Sequence, residues 1–330
     1  LQQIFAPKMV LQHNGCEPMT KFSKTIAGLS IQPYGVTMIL LVEQSDTVKV
    51  GAIANHPLLA ENIDQGVWRD LGAIQAAVGN CKEVIGQSIN SVVLSLADDS
   101  VITAKLAVPR APFAHQQDAL IKAMAVEISP WPVAETVVDW GFGGDGEDGE
   151  HRYVSLAMCN AQLIANARRV LAQLSLRLVA VEPESQSHWH LLHRLAQPPN
   201  SAAPTLTCVI AKPKRVGIST FLYGGLSASH NITREAAATV YTPQTVLQEI
   251  SAVLRQAELP LNSNHVVLLG GSLANADLCA AMRSQLECTV VALDSALHGA
   301  GLLVDSEPSV FATVPDGAVA LGSALGRFDA

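Results

Sequence analysis

The feature that most narrows the fold is a pattern that occurs twice. Residues 25–31, 35–42 and 47–53 are three strand-like runs separated only by the turns Gln32-Pro33-Tyr34 and Gln44-Ser45-Asp46. Runs at 206–211, 216–223 and 226–230 repeat that arrangement in the second half. Strands this close leave no room for a crossover and pair antiparallel as a meander. Each meander passes into alternating helical and strand-like segments, the signature of α/β architecture. Helical spacing fits 64–78, 113–128, 160–174, 184–196, 243–257, 274–286 and 316–327. Further strands fit 91–96, 101–108, 136–142, 152–159, 177–181, 265–269 and 289–293. Two α/β lobes of duplicated topology are expected.

The division along the chain follows from the breaks. Residues 1–24 read as an irregular arm, 25–100 as the first part of the first lobe and 101–176 as an inserted unit. Residues 177–200 return to the first lobe and end in the linker Gln197-Pro198-Pro199-Asn200-Ser201; 201–330 form the second lobe with its C-terminal helix. A chain of 330 residues, 49% apolar and 15% charged, fills two cores and is too apolar for extended disorder. With 21 Lys and Arg against 29 Asp and Glu, the net charge of -8 supplies no basic stripe for nucleic acid. The longest uncharged apolar run, 36–42, is far short of the roughly 18–20 residues of a spanning helix. The N-terminus lacks the parts of a secretory signal, so the chain reads as cytoplasmic. Cys16, Cys81, Cys159, Cys208, Cys279 and Cys288 show no zinc-ligand spacing and read as small buried residues in a reducing compartment.

Local candidates for chemistry are few. The loop 143–150 carries four carboxylates without the order of a calcium loop, and reads as a solvated hairpin tip. His188, His190 and His193 fall on a helix, with only 190 and 193 sharing a face, which favours a surface or partly buried helix over a metal site. Glu182 and Glu184 bracket a proline at a strand-to-helix passage, where a first-turn acid suits the helix N-terminus. A G-x-S-x-G serine motif is absent.

Five stretches carry a family resemblance: Gly28-Leu29-Ser30-Ile31, and residues 92–109, 128–140, 266–274 and 318–327. They resemble the PilM-type assembly proteins of type IV pili, a branch that includes the MSHA-pilus MshI proteins and the cytoplasmic part of type II secretion GspL. The likeness runs from about residue 25 to the end, and the second and third stretches are its specific part. It implies an actin-like ATPase (ribonuclease H-like) two-lobed fold with an inserted subdomain of the FtsA/PilM type. It also implies a cytoplasmic scaffold, peripheral to the inner membrane, of a type IV (MSHA-like) pilus or type II secretion-like platform. The partners would be the cytoplasmic N-terminal segment of a PilN-like single-span membrane protein and the pilus assembly ATPase, with membrane contact only through partners. The docking groove carries over to Val101, Ile102, Leu106, Leu120, Met124, Ile128, Pro130, Trp131 and Pro132. Core of the inserted unit is the competing reading for each of these residues.

The family's cofactor would be ATP, held by two turns of the form D-x-G-[AS]. Here those turns read Ser30-Ile31-Gln32-Pro33 and Ile210-Ala211-Lys212-Pro213. Both carboxylates and both glycines are gone, and each proline deletes a backbone donor and fixes φ where an anion cradle needs freedom. Gly270-Gly271-Ser272 remains as the third nucleotide-side element, and a tight strand-to-helix turn explains a glycine pair equally well. Lys212, Lys214 and Arg215 either attract phosphate or form a solvated turn. No cofactor, no metal and no catalytic residue are therefore expected: a pseudo-ATPase. The alternatives are an ATP-binding PilM-type protein or actin-fold kinase, and the cytoplasmic domain of a GspL-type protein.

Overall fold

The computed structural model of the chain describes residues 25–328 except 45–46, 65, 87–88, 111–112, 146–149, 197–204, 213–214, 223–224, 234–241, 257–264 and 304–316. The expected arm 1–24, the linker 197–201, Pro213, Lys214 and most of the acidic loop tip lie outside the described residues.

Both expected meanders form. In the first lobe, β1 (Thr25–Gln32), β2 (Gly35–Gln44) and β3 (Thr47–Pro57) pair antiparallel, and β1 is flanked in parallel by β6 (Ser91–Leu96), which pairs β10 (Arg177–Pro183). The sheet order is β10-β6-β1-β2-β3. The second lobe repeats it as β15-β14-β11-β12-β13, with β11 (Thr205–Ala211), β12 (Arg215–Leu222), β13 (Gly225–Thr233), β14 (His265–Gly270) and β15 (Thr289–Ala292). β4 (Ile63–Asp64) and β5 (Val67–Trp68) form a short ribbon after the first meander.

Alternation along the strands builds the layers. Ala27, Leu29 and Ile31 face one side of the first sheet with Val92, Leu94 and Leu96, and join Ile74, Val78, Ala167 and Val170 of α1 (Leu71–Ile85) and α3 (Ala161–Gln173). Ile26, Ile39, Leu41 and Val93 point the opposite way, into a core shared with Leu206, Cys208 and Leu268 of the second sheet. Two helices, α4 (Glu184–Leu195) and the last one, lie in that shared core. The far face of the second sheet packs on α5 (Pro243–Gln256) and α6 (Ala276–Leu286). Strands buried on both faces read as continuous apolar runs, which is why they were legible.

Four expectations need correction. The helix placed at 64–78 begins at Leu71, because Asp70 caps it by accepting the Ala73 N–H at 2.9 Å and Val67-Trp68 is used as strand. It ends at Gly86, whose φ of 64° serves the C-cap. The helix α3, expected to close the inserted unit, instead packs through Leu163, Ile164, Ala167, Val170 and Leu171 into the first lobe. A short helix α7 (Leu293–Gly299), for which no helix was expected, follows β15. The final helix α8 (Gly317–Phe328), expected with the second lobe, lies against β1, β2 and β6 of the first lobe and against α4. Its Ala, Gly and Ser content permits that close approach.

The inserted unit is β7 (Ile102–Pro109), α2 (Ala114–Ile128), β8 (Thr136–Asp145) and β9 (His151–Asn160), an antiparallel sheet in the order β7-β9-β8 with α2 on one face. No helix among the described residues is long and apolar enough to cross a membrane.

Candidate functional site

The carboxyl ends of β1, β6 and β10 meet the β11–β12 hairpin of the second lobe, so any ligand gripped by both meanders would sit there. In parallel-strand sheets that end is where ligands gather. The β1–β2 turn is Pro33-Tyr34, with Ser30 and Gln32 both buried beneath it. The β11–β12 turn closes through Lys212 N–H to the Arg215 carbonyl at 2.8 Å and Arg215 N–H to the Lys212 carbonyl at 3.3 Å. Ile210 faces the shared core.

Across this cleft the lobes are tied by side chains. The Arg215 guanidinium donates to Gln32 Oε1 at 2.9 Å and to Glu184 Oε2 at 2.6 Å. His188, one turn further along α4, shares a hydrogen bond between Nδ1 and Ser219 Oγ at 2.8 Å. Asp98, just after β6, accepts the Ser229 hydroxyl at 2.5 Å and the Ser185 N–H at 3.1 Å. The Arg215 side chain is thus not solvated: its exposure is 13%, and that of its partner Glu184 is 2%. Glu184 is the first-turn acid that was expected, but its carboxylate serves the other lobe.

The electrostatics follow from burial. Burial by itself would raise Glu184, yet Arg215, His188 and Lys212 outweigh it and hold the carboxyl below its ordinary value. Burial pulls His188 down to about 4 against the pull of Glu184, so its ring is neutral at pH 7. Burial and the neighbouring Glu184 push Asp98 up to about 6. Lys212 is pulled down to about 7 by burial and by Arg215, with Glu184 opposing. Between about pH 7 and 10.5 the unfolded chain therefore binds more protons at Lys212 than the folded one, and stability from this group rises with pH. The urea midpoint is expected to climb from pH 7 to 8.5 in the parent, and this climb should be absent in Lys212→Met. At higher pH the slope reverses, because buried thiols such as Cys81 and Cys159, held at about 12, ionise first in the unfolded chain.

The three histidines occupy three settings. His188 is buried, His190 Nε2 lies 3.4 Å from Glu182 Oε2, and His193 is exposed. Glu182 also receives the Ser187 hydroxyl at 2.8 Å. Among the described residues no three His, Cys, Asp or Glu side chains group to hold a metal ion.

The glycine pair has a packing reason. Gly271 has φ +94°, and a Cβ there would run into the Ala211 backbone. The Leu273 N–H then bonds the Ala211 carbonyl at 3.1 Å, so the turn with Gly270, Gly271 and Ser272 is seated on the end of β11.

Of the nine expected docking residues only Val101 is buried, and five are half-buried. Val101 packs in the first-lobe core, while Ile102, Leu106, Leu120, Met124 and Trp131 pack within the inserted unit. The physical reason is alternation: 102, 104, 106 and 108 share the helix-facing side of β7, opposite Ile121 and Ala125 of α2. Ile128 is 42% exposed, and Pro130 and Pro132 are exposed beside it. A cavity of about 270 Å³ opens elsewhere on the inserted unit. Thr103, Lys105 and Ser155 form one wall, Ser185 and Trp189 of α4 the second, and Leu226 to Ser229 of β13 the third. Sequence reasoning missed Asp98 as a cleft residue, and named Arg215 without its partners Gln32 and Glu184. The available signal was position: charges are scarce in this chain, and Asp98 and Arg215 stand at strand ends facing the other lobe.

The strand orders and this cleft can now be set beside solved structures. A chain of the PilM-PilN type IV pilus biogenesis complex superposes with a TM-score of 0.70 at 18% identity, covering 91% of this chain and 97% of that one. The fold is the two-lobed actin-like one. The cytoplasmic domain of EpsL, an inner membrane component of the type II secretion system of Vibrio cholerae, matches at TM-score 0.48 and 9% identity, over 93% of this chain and 95% of that one. A Bacteroides thetaiotaomicron protein of actin-like ATPase fold and unknown function matches at 0.47 and 10%, over 86% and 96%. No protein-family model and no curated protein sequence matches the chain. The expected fold class stands.

Proposed function

We propose that the chain is a cytoplasmic scaffold of a type IV (MSHA-like) pilus or type II secretion-like inner-membrane platform, and a pseudo-ATPase. It would dock the cytoplasmic tail of a PilN-like single-span membrane protein and link that complex to the assembly ATPase. The observation that carries the pseudo-ATPase reading is the Arg215 guanidinium lying between Gln32 and Glu184, where the two meander turns converge. A magnesium nucleotide does not fit these residues. Glu184, Asp98 and Glu182 each already accept hydrogen bonds from the protein, and no Asp or Gly stands in either turn. The hydrolytic chemistry of such folds needs carboxylates free to hold the metal and to position water. Support for the docking role comes from the likeness to a chain of the PilM-PilN complex and from the cavity on the inserted unit.

Isothermal titration of the full chain with Mg-ATP is expected to give no binding heat at 100 µM ligand. Magnesium-dependent binding tighter than that would overturn the pseudo-ATPase reading. Pull-down with a PilN-type N-terminal peptide is expected to retain the chain, and failure to do so removes the scaffold role.

A further inference from the structure

The N-terminal end of α4 is held at three points. Glu184 is gripped by Arg215 on β12, and His188 by Ser219, also on β12. The Ser185 N–H is taken by Asp98 Oδ1, which acts as the N-cap that Pro183 at the cap position does not supply. The other oxygen of Asp98 accepts the Ser229 hydroxyl from β13, and Ser229 Oγ lies 3.4 Å from Ser219 Oγ. Ser185 and Ser229 both line the 270 Å³ cavity, one from each lobe, whereas Asp98 stands behind the wall and does not line it. One carboxylate therefore touches two of the three walls of the cavity, those of α4 and β13, from outside. The helix turn it caps also carries the cleft's Glu184 one residue before Ser185.

A carboxylate suits this position because it accepts two bonds at once and faces the positive end of a helix. Its ionised form is costly here, with burial and Glu184 raising Asp98 to about 6, and the two bonds oppose that shift. Buried polar groups left without partners are penalised, so the links in such a network break together more readily than singly.

We infer that Asp98 is a positioning residue that joins the α4 and β13 walls of the cavity and, through the first turn of α4, couples the cavity to the Gln32–Arg215–Glu184 contact in the cleft. Cavity and cleft then tighten or loosen as one unit. By reciprocity, whatever fills the cavity strengthens the cleft contact, and loosening the cleft weakens binding in the cavity. This rests on the docking proposal only for its biological use; the coupling belongs to the free chain.

Hydrogen exchange read by mass spectrometry on the full free chain tests it. Ser229→Ala removes the second-lobe bond and leaves the α4 cap in place. Exchange should accelerate about tenfold across 30–36 in the first lobe, a segment that Ser229 does not touch, while 276–286 keeps its protection. Asp98→Ala should give the matching acceleration across 212–218 in the second lobe. Adding Arg215→Met to Ser229→Ala should accelerate 30–36 no further than the faster single variant does. Loosening confined to 225–233 in Ser229→Ala, with 30–36 unchanged, would reduce the contact to a local one and overturn the coupling. Should Asp98→Ala fail to fold, Ser229→Ala decides alone. Peptide binding by the unsubstituted chain judges the docking role separately.

Discussion

Arg215→Met is expected to lower the unfolding free energy by about 3–5 kcal/mol, seen as a fall in the urea midpoint at pH 7. The pair it breaks is almost sealed from water, with the guanidinium 2.6 Å from a carboxylate that is 2% exposed. Removing the cation leaves Glu184 buried beside His188, which is neutral at pH 7 in the parent, and beside Lys212, which compensates it only in part because burial is the largest cause holding that amine down. An exposed ion pair lost in the same way would cost under about 1 kcal/mol, so the size of the effect separates a sealed contact from a surface one. The damage is an uncompensated charge rather than a missing attraction. Glu184→Gln together with Arg215→Met should therefore recover more than half of the loss, as removing both members of a buried pair often does. A single variant within about 0.5 kcal/mol of the parent would mean that this contact does not hold the lobes together.

How much of this was legible depended on whether the determining contacts were local. Both meanders, the parallel strands and most helices could be read, because strands buried on two faces and helices buried on one leave runs and periods in neighbouring residues. The first helix slipped by two turns because Val67 fits the apolar spacing that continues through Ile74, and only the Asp70 cap separates them. The site was harder. The two turns that lack acid and glycine could be recognised as they stand, but their occupant could not. Arg215 faces Gln32 across 183 positions of sequence, and Asp98 faces Ser229 across 131. No period or motif encodes such pairs. The docking residues show a related limit of local pattern: an apolar stripe on β7 looks the same whether it meets its own helix or a partner, and here α2 lies against it with Ile102 and Leu106 still half-buried.

The same non-local logic makes the last helix the second most sensitive element. α8 is inserted between β1 and α4, and on each side the spacing is set by a glycine. A Cβ at Gly28 would collide with the Ala320 carbonyl, and one at Gly322 with the Ser187 carbonyl. Both obstacles are backbone, which cannot turn aside as a side-chain tip can. Gly322 lies inside a helix, where alanine is normally the more favourable residue by roughly 1 kcal/mol. On propensity alone, Gly322→Ala should stabilise. Packing reverses the sign, since α8 must move away from Ser187 and carry Leu321 and Leu325 out of the core the two lobes share. Gly322→Val is expected to cost about 3 kcal/mol or more, and Gly322→Ala a smaller amount of the same sign. Thermal unfolding should register the valine variant as a drop of roughly 4 °C or more. Gly299→Ala is the control: nothing lies within 4 Å of its added Cβ, and the melting temperature should hold within a degree or two. If Gly322→Ala instead raises the melting temperature, α8 is not wedged between the lobes as described, and the shared core does not depend on its close approach to α4.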